Sequence, residues 1–139
     1  MLRGKFTDKI ALITGAAGGI GSETCQKFIN ENIKHIIITD IDEEGLNVLY
    51  EKIKDKTNVV PIVQDVTKES DWDKVVSLIE QEFGKLDILI NNAGGSNRKT
   101  IENTTLDEWN HVISLNQTST FLGMKKCLPL LKKSGQASI

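Results

Sequence analysis

Ile10-Ala11-Leu12-Ile13-Thr14-Gly15-Ala16-Ala17-Gly18-Gly19-Ile20-Gly21 holds an apolar run, a cluster of glycines and the head of a helix within twelve residues. From Lys9 to Thr14 the run is β-branched and almost continuously apolar, the pattern of a strand buried on both faces in a parallel sheet. Four glycines then fall within seven positions, and Ile20, Thr24 and Phe28 repeat at i, i+4, i+8, so the glycines open a helix. A strand, a glycine turn and a helix N-terminus in that order make an anion site. The free N–H groups of the first turn point outward at the positive end of the dipole, and residues without side chains let a pyrophosphate reach the backbone.

Beyond this first helix, expected over Gly19 to Asn30, strands and helices alternate. Lys34 to Asp40 is a second buried strand ending in an acid. Glu43 to Lys54 is an amphipathic helix with Leu46, Leu49, Tyr50 and Ile53 on one stripe, and Asp42 is placed to cap it. Asn58 to Val63 is a third strand, and Pro61 within it cannot donate to a ladder, which assigns it to a sheet edge. Ser70 to Phe83 is a helix with Trp72, Val75, Val76, Ile79 and Phe83 inward and Gly84 as its stop. Leu86 to Ile90 is a fourth strand running into Asn91-Asn92-Ala93-Gly94-Gly95, followed by a polar loop. Thr105 and Glu108 have capping-box spacing at the head of a long helix, Leu106 to about Leu131. That helix is expected to carry Trp109, Ile113, Asn116 and Thr120 along one side and to bend before Pro129. Ala137-Ser138-Ile139 begins a fifth strand.

Such alternation specifies an α/β fold with a doubly wound parallel sheet. The strand order 3-2-1-4-5 fits best, because it puts the Pro61 strand at an edge and the first strand beside the fourth at the ligand-binding switch point. Residues 1–139 then form one dinucleotide-binding domain of Rossmann type, cut at its fifth strand.

At 139 residues, 39% hydrophobic and 26% charged with net charge −2, the chain has the balance of a soluble globular domain. That charge gives no electrostatic case for nucleic acid or a membrane surface as partner. The N-terminal Met1 to Asp8 has no apolar core of a signal peptide, and no run approaches the roughly 18 apolar residues of a membrane span, so a cytoplasmic protein is expected. Cys25 and Cys127 lie about a hundred positions apart without metal-ligand spacing and are expected to be buried free thiols. His35 and His111 are isolated, and no metal site is expected.

Asp40 closes the second strand about 20 residues after the glycines, where a carboxylate accepts hydrogen bonds from adenosine ribose hydroxyls and repels a 2′-phosphate. No Arg or Lys lies within the turn or directly after Asp40. The expected cofactor is therefore NAD in preference to NADP.

The glycine spacing Thr14-Gly15-x-x-x-Gly19-x-Gly21, Asp65-Val66 after the third strand and Asn91-Asn92-Ala93-Gly94 after the fourth occur in one order. In these motifs the whole chain resembles the short-chain dehydrogenase/reductase family. The resemblance implies that Gly15, Gly19, Ile20 and Gly21 line the pyrophosphate and nicotinamide side and that Asp40 holds the adenosine ribose. It implies that Asp65 accepts from the adenine amino group with Val66 alongside. Asn91 and Ala93 would line the cleft and brace the sheet, with Gly94 allowing close approach. Asn116 matches the family's active-site Asn, whose backbone carbonyl holds a water in a proton relay. Thr14, Ser96 and Asn97 are candidate lip residues.

Members of the family exchange hydride between nicotinamide and an alcohol or carbonyl substrate. They use a Ser at the end of the fifth strand and a Tyr-x-x-x-Lys pair on the next helix, since a phenol of pKa about 10 needs a nearby cation to act as a base at neutral pH. The chain reaches Ile139 as that strand begins. Tyr50-x-x-x-Lys54 has the right spacing but falls on the outer helix between the second and third strands, where Tyr50 packs, and Ser138 precedes the strand core. Two readings follow: an NAD-dependent oxidoreductase represented by its cofactor-binding part, or a truncated, non-catalytic module that binds nucleotide or self-associates. The long helix commonly makes dimer contacts in the family, which implies a homo-dimer or tetramer.

Overall fold

The computed structural model describes residues 4–139; Met1 to Arg3, the start of the stretch read for targeting, lie outside it. Strand β1 is Ile10–Thr14, with all five residues buried, and helix α1 is Gly19–Asn30. Strand β2, His35–Asp40, helix α2, Glu43–Ile53, strand β3, Asn58–Val63, and helix α3, Glu69–Phe83, follow, and then strand β4, Ile88–Ile90. A short 3-10 turn at Ile101–Asn103 leads to helix α4, Leu106–Ile113, a π-helical turn at Ser114–Thr118 and helix α5, Ser119–Ser134.

The sheet is parallel, in the order β3-β2-β1-β4. Beyond β4 the described residues form no fifth strand but a single parallel bridge between Ile88 and Ser138, closed by Leu89 N–H to Ser138 O (3.0 Å) and Ser138 N–H to Asp87 O (2.9 Å). Pro61, on β3, sits opposite Ile38; every residue of that strand is half-buried or exposed, and its missing N–H faces the open edge.

Alternate residues of each strand feed two apolar layers. Leu12, Ile37 and Leu89 pack with Trp72, Val75 and Ile79 of α3 and with Leu122, Leu130 and Leu131 of α5. Ala11, Ile13, Ile36 and Ile38 pack with Cys25 of α1 and with Leu46, Leu49 and Ile53 of α2. Burying one such Leu or Ile contributes about 1.5–3 kcal/mol, and this double-sided burial is why the strand sequences are continuous in apolar character.

Local signals position the helices. Asp42 Oδ1 accepts from Gly45 N–H (3.1 Å) at the head of α2. Thr105 and Glu108 close a reciprocal capping box on α4, and Gly84 ends α3 with φ +71°. Two expectations are corrected. The buried side of α1 is Gly21 and Cys25, with Phe28 and Ile29 partly buried, while Ile20 is 76% exposed because it turns into the cleft above the sheet. The long helix is not one α-helix. Ser119 N–H bonds Ser114 O, an i→i−5 link that shifts the helical phase. Trp109 is consequently exposed and α4 buries nothing completely, whereas Ser119, Leu122, Gly123 and Cys127 of α5 are buried. Helix α5 runs through Pro129 to Ser134 and closes on Gly135 at φ +74°. Among the described residues no helix is long and apolar enough to cross a membrane.

Candidate active site

The C-terminal ends of the four strands form a cleft of about 780 Å³, within the roughly 300–1,000 Å³ of small-molecule sites. Its floor is the turn after β1. Gly15 has φ +61°, and a Cβ there would stand 2.8 Å from Ala93 Cα, so both conformation and the approach of the β4 loop demand glycine. Gly21 is buried outside the cleft. A Cβ on it would meet Gly15 O at 2.3 Å, so its task is to let α1 press onto the turn.

Gly18 caps α1 without a side-chain hydrogen bond, and no acid lies in that first turn. By contrast, α2 and α4 carry both a side-chain cap and first-turn acids, and α3 carries first-turn acids. The N-terminus of α1 thus presents its orphan N–H groups and dipole to the cleft, with Gly19 open to it.

Asp40 ends β2 at the cleft wall. Its Oδ2 accepts from Ala17 N–H and its Oδ1 from Asp42 N–H, each at 3.0 Å, which fixes the carboxylate beside the glycine turn with lone pairs to spare. Asp65 follows β3. Its Oδ1 accepts from Thr67 N–H (3.0 Å) and Thr67 Oγ1 (2.6 Å), and Lys68 Nζ lies 3.4 Å from Oδ2. Partial burial would raise its pKa, but these bonds and the Lys68 charge outweigh it and hold the group below the ordinary carboxylate value. Val66 lines the cleft, and its carbonyl accepts from Trp72 Nε1 (2.9 Å).

Of the residues expected at the site, Gly15, Gly19, Ile20, Asp40, Asp65, Val66, Ala93 and Gly94 line this one cleft, and Thr14, Gly21, Asn91 and Asn116 do not. Thr14 is buried, with Oγ1 accepting from the N–H groups of Asn92 and Ala93, both at 3.1 Å. Asn91 turns to the opposite side of the sheet, where a Cβ on Gly123 would touch its Oδ1 at 2.3 Å and its Nδ2 is buried without a partner. The brace expected of Asn91 belongs to Asn92, whose Nδ2 donates to both Thr14 O and Gly15 O at 3.0 Å. The reason is strand alternation: Ile90 and Asn92 share one side of the chain, and Asn91 takes the other.

Asn116 lies within the π-helical turn. Its Nδ2 donates to Gly95 O (2.7 Å) and its Oδ1 accepts from Gly95 N–H (3.1 Å), so its side chain pins the loop after β4, and its backbone carbonyl accepts from Thr120 Oγ1 (3.0 Å). Ser96 and Asn97 lie outside the cleft, along neighbouring hollows at the head of α4. Arg98 and Leu115 line the cleft and were not among the expected residues; no spacing rule marks a loop arginine or the residue before Asn116.

Tyr50 is partly buried against the α1/α2 layer, with Lys54 Nζ 6.0 Å over its ring and bonded to Glu51. It packs on that layer and does not line the cleft. No Ser, Tyr or Lys lines the cleft among the described residues.

A short chain dehydrogenase family model matches residues 9–139. The chain belongs to the short chain dehydrogenase family. It is 34% identical over 142 residues to a trans-4-hydroxycyclohexanecarboxylate dehydrogenase of Sinomonas cyclohexanicum, a match covering 97% of this chain and 54% of the relative. It is 34% identical over 138 residues to a 3-alpha-(or 20-beta)-hydroxysteroid dehydrogenase of Mycobacterium tuberculosis, covering 99% of this chain and 52% of that one. Its fold matches the crystal structure of an NAD+-bound xylitol dehydrogenase with a TM-score of 0.89 at 28% identity, over 96% of this chain and 52% of the other. This short chain dehydrogenase sequence thus spans about half the length of the curated relatives it matches.

Proposed function

We propose that the chain is the cofactor-binding part of an NAD-dependent oxidoreductase that exchanges hydride between nicotinamide and a small alcohol or carbonyl substrate. The observation that carries this reading is the fixed carboxylate of Asp40 beside an uncapped helix N-terminus and an open glycine turn. The cleft residues suit a dinucleotide at each point. The first-turn N–H groups of Gly19 and Ile20 suit a pyrophosphate, and Asp40 suits the two hydroxyls of an adenosine ribose. Asp65, ionised and held by Thr67, suits an amino group beyond it.

A bound nicotinamide supplies hydride chemistry; the protein's residues bind, orient and exclude. The carboxylates of Asp40 and its neighbour Asp42 oppose a 2′-phosphate, which favours NAD over NADP. Asn116 acts by holding Gly95, and through it the wall facing the substrate. The proton donor and acceptor of the complete site come from groups other than Tyr50 and Ser138. The names of the relatives, a cyclic hydroxy-carboxylate dehydrogenase and a hydroxysteroid dehydrogenase, support a small-molecule alcohol as substrate.

The same reading assigns a homo-dimer or tetramer built on α5, where Phe121, Met124 and Leu128 are 54%, 41% and 44% exposed at helical spacing. A reducing, cytoplasmic setting accords with the free thiols of Cys25 and Cys127. The direct test is an amide NMR titration of the 139-residue chain with NAD+. Saturable shifts at Gly18, Gly19 and Ile20 support the reading, and shifts scattered away from the glycine turn refute it.

A further inference from the structure

The cleft is electrically divided. In the sheet order β3-β2-β1-β4, Asp65 follows β3, Asp40 ends β2 and Asp42 follows it, so the carboxylates of the cleft stand at one end. The glycine turn after β1 lies in the middle. At the other end, on the loop after β4, stands Arg98, the one cation that lines the cleft among the described residues.

Three features single Arg98 out. It makes no ion pair among the described residues, whereas the adjacent Lys99 is neutralised by Glu108 at the head of α4. Its backbone is in the left-handed region, φ +53°. Asn97 holds it there: Asn97 Oδ1 accepts from Lys99 N–H (3.2 Å), spanning Arg98, and Asn97 Nδ2 donates to Thr104 Oγ1 (3.2 Å), which ties the turn to α4. A guanidinium on an anchored turn is a bidentate donor for a planar oxyanion.

We propose that Arg98 recognises a carboxylate on the substrate, which narrows the substrate class to hydroxy acids and their oxo counterparts. The inference rests on the reading of the cleft as a nicotinamide-cofactor site. An oxyanion at Arg98 has two sources, a substrate carboxylate or the pyrophosphate of the cofactor, and position favours the first. The pyrophosphate belongs at the N-terminus of α1, and the adenosine end runs toward Asp40 and Asp65. The end that reaches the β4 loop is therefore the reacting end, where substrate lies.

The test uses the 139-residue chain saturated with NADH, titrated with lactate and with its uncharged analogue lactamide, following the Arg98 Nε–Hε and the Gly94 and Gly95 amide NMR signals. Lactate is expected to give saturable shifts at an affinity at least about tenfold above that for lactamide. Arg98→Gln should remove that preference while leaving the NADH Kd within about twofold, and Arg98→Lys should retain part of it. Equal binding of lactate and lactamide overturns the inference. So does a tenfold loss of NADH affinity in Arg98→Gln, which would give the guanidinium to the cofactor. Failure of the unaltered chain to bind NADH overturns the underlying reading instead.

Discussion

The side-chain amide of Asn92 donates to the carbonyls of both Thr14 and Gly15, at 3.0 Å each, and so ties the loop after β4 to the turn after β1. Asn92→Ala removes both bonds in a part-buried place and leaves Gly15 O with only the longer bond from Gly18 N–H (3.3 Å). A loss of about 1–3 kcal/mol is expected, read as a lower urea midpoint with unchanged slope. An unchanged midpoint would mean that water replaces the amide at no cost.

Glycines of the chain divide by what surrounds them. A Cβ on Gly123 would stand 2.3 Å from Asn91 Oδ1 and 2.8 Å from Trp72 Cη2, whereas one on Gly19 would meet nothing within 4 Å. Gly123→Ala should therefore destabilise by about 1–3 kcal/mol in chemical denaturation. Gly19→Ala should leave stability intact or raise it by up to about 1 kcal/mol while weakening NADH binding, because the methyl group stands where the backbone must meet a phosphate. Equal NADH affinity in Gly19→Ala would remove that turn from the binding site.

Asp87, just before β4, is fully buried and crosslinks three elements. Its Oδ2 accepts from Ile10 N–H (2.9 Å), Lys85 Nζ lies 3.1 Å away, and Ser134 Oγ at the end of α5 donates to Oδ1. Burial alone would raise its pKa; the bonds from Ser134, Lys85 and Ile10 overcome that and set it below the ordinary 3.8. A depressed folded-state pKa contributes stability that is fully present above the unfolded value, about 3.9, and is lost as pH falls through the folded value. Unfolding free energy should thus fall below about pH 4, and Asp87→Asn should flatten part of that fall while lowering stability at pH 7. An acid limb identical in both proteins would assign the dependence elsewhere.

Cys25 and Cys127 are both fully buried, and burial pushes each thiol up to about 12. Neither should react with Ellman's reagent in the native chain at pH 8, and both should react in denaturant. Rapid native labelling of either would show that its layer opens readily.

Much of this architecture is legible in the sequence because each signal is local. Pro61 marks the edge strand, Asp42 and the Thr105/Glu108 pair mark helix starts, and the double-sided burial of β1 and β2 is written in their unbroken apolar runs. What is not legible depends on tertiary geometry. Asn91 and Asn92 are chemically identical neighbours, and only the strand's facing decides which one braces the turn. Nothing in Ser114–Thr118 announces a π-helical turn, so the helical phase of Trp109 and Ile113 is misjudged across it. Arg98 enters the cleft through a left-handed turn set by its neighbours' side chains, which leaves no periodic trace.

Whether Asp40 sets a preference for NAD in this cleft is decided by fluorescence titration of the chain and its Asp40→Ala variant with NADH and NADPH. The chain is expected to bind NADH at least about tenfold more tightly than NADPH, and the variant to lose NADH affinity and most of that preference. Equal binding of the two cofactors by the unaltered chain, or an undiminished preference in Asp40→Ala, would contradict a preference set by Asp40.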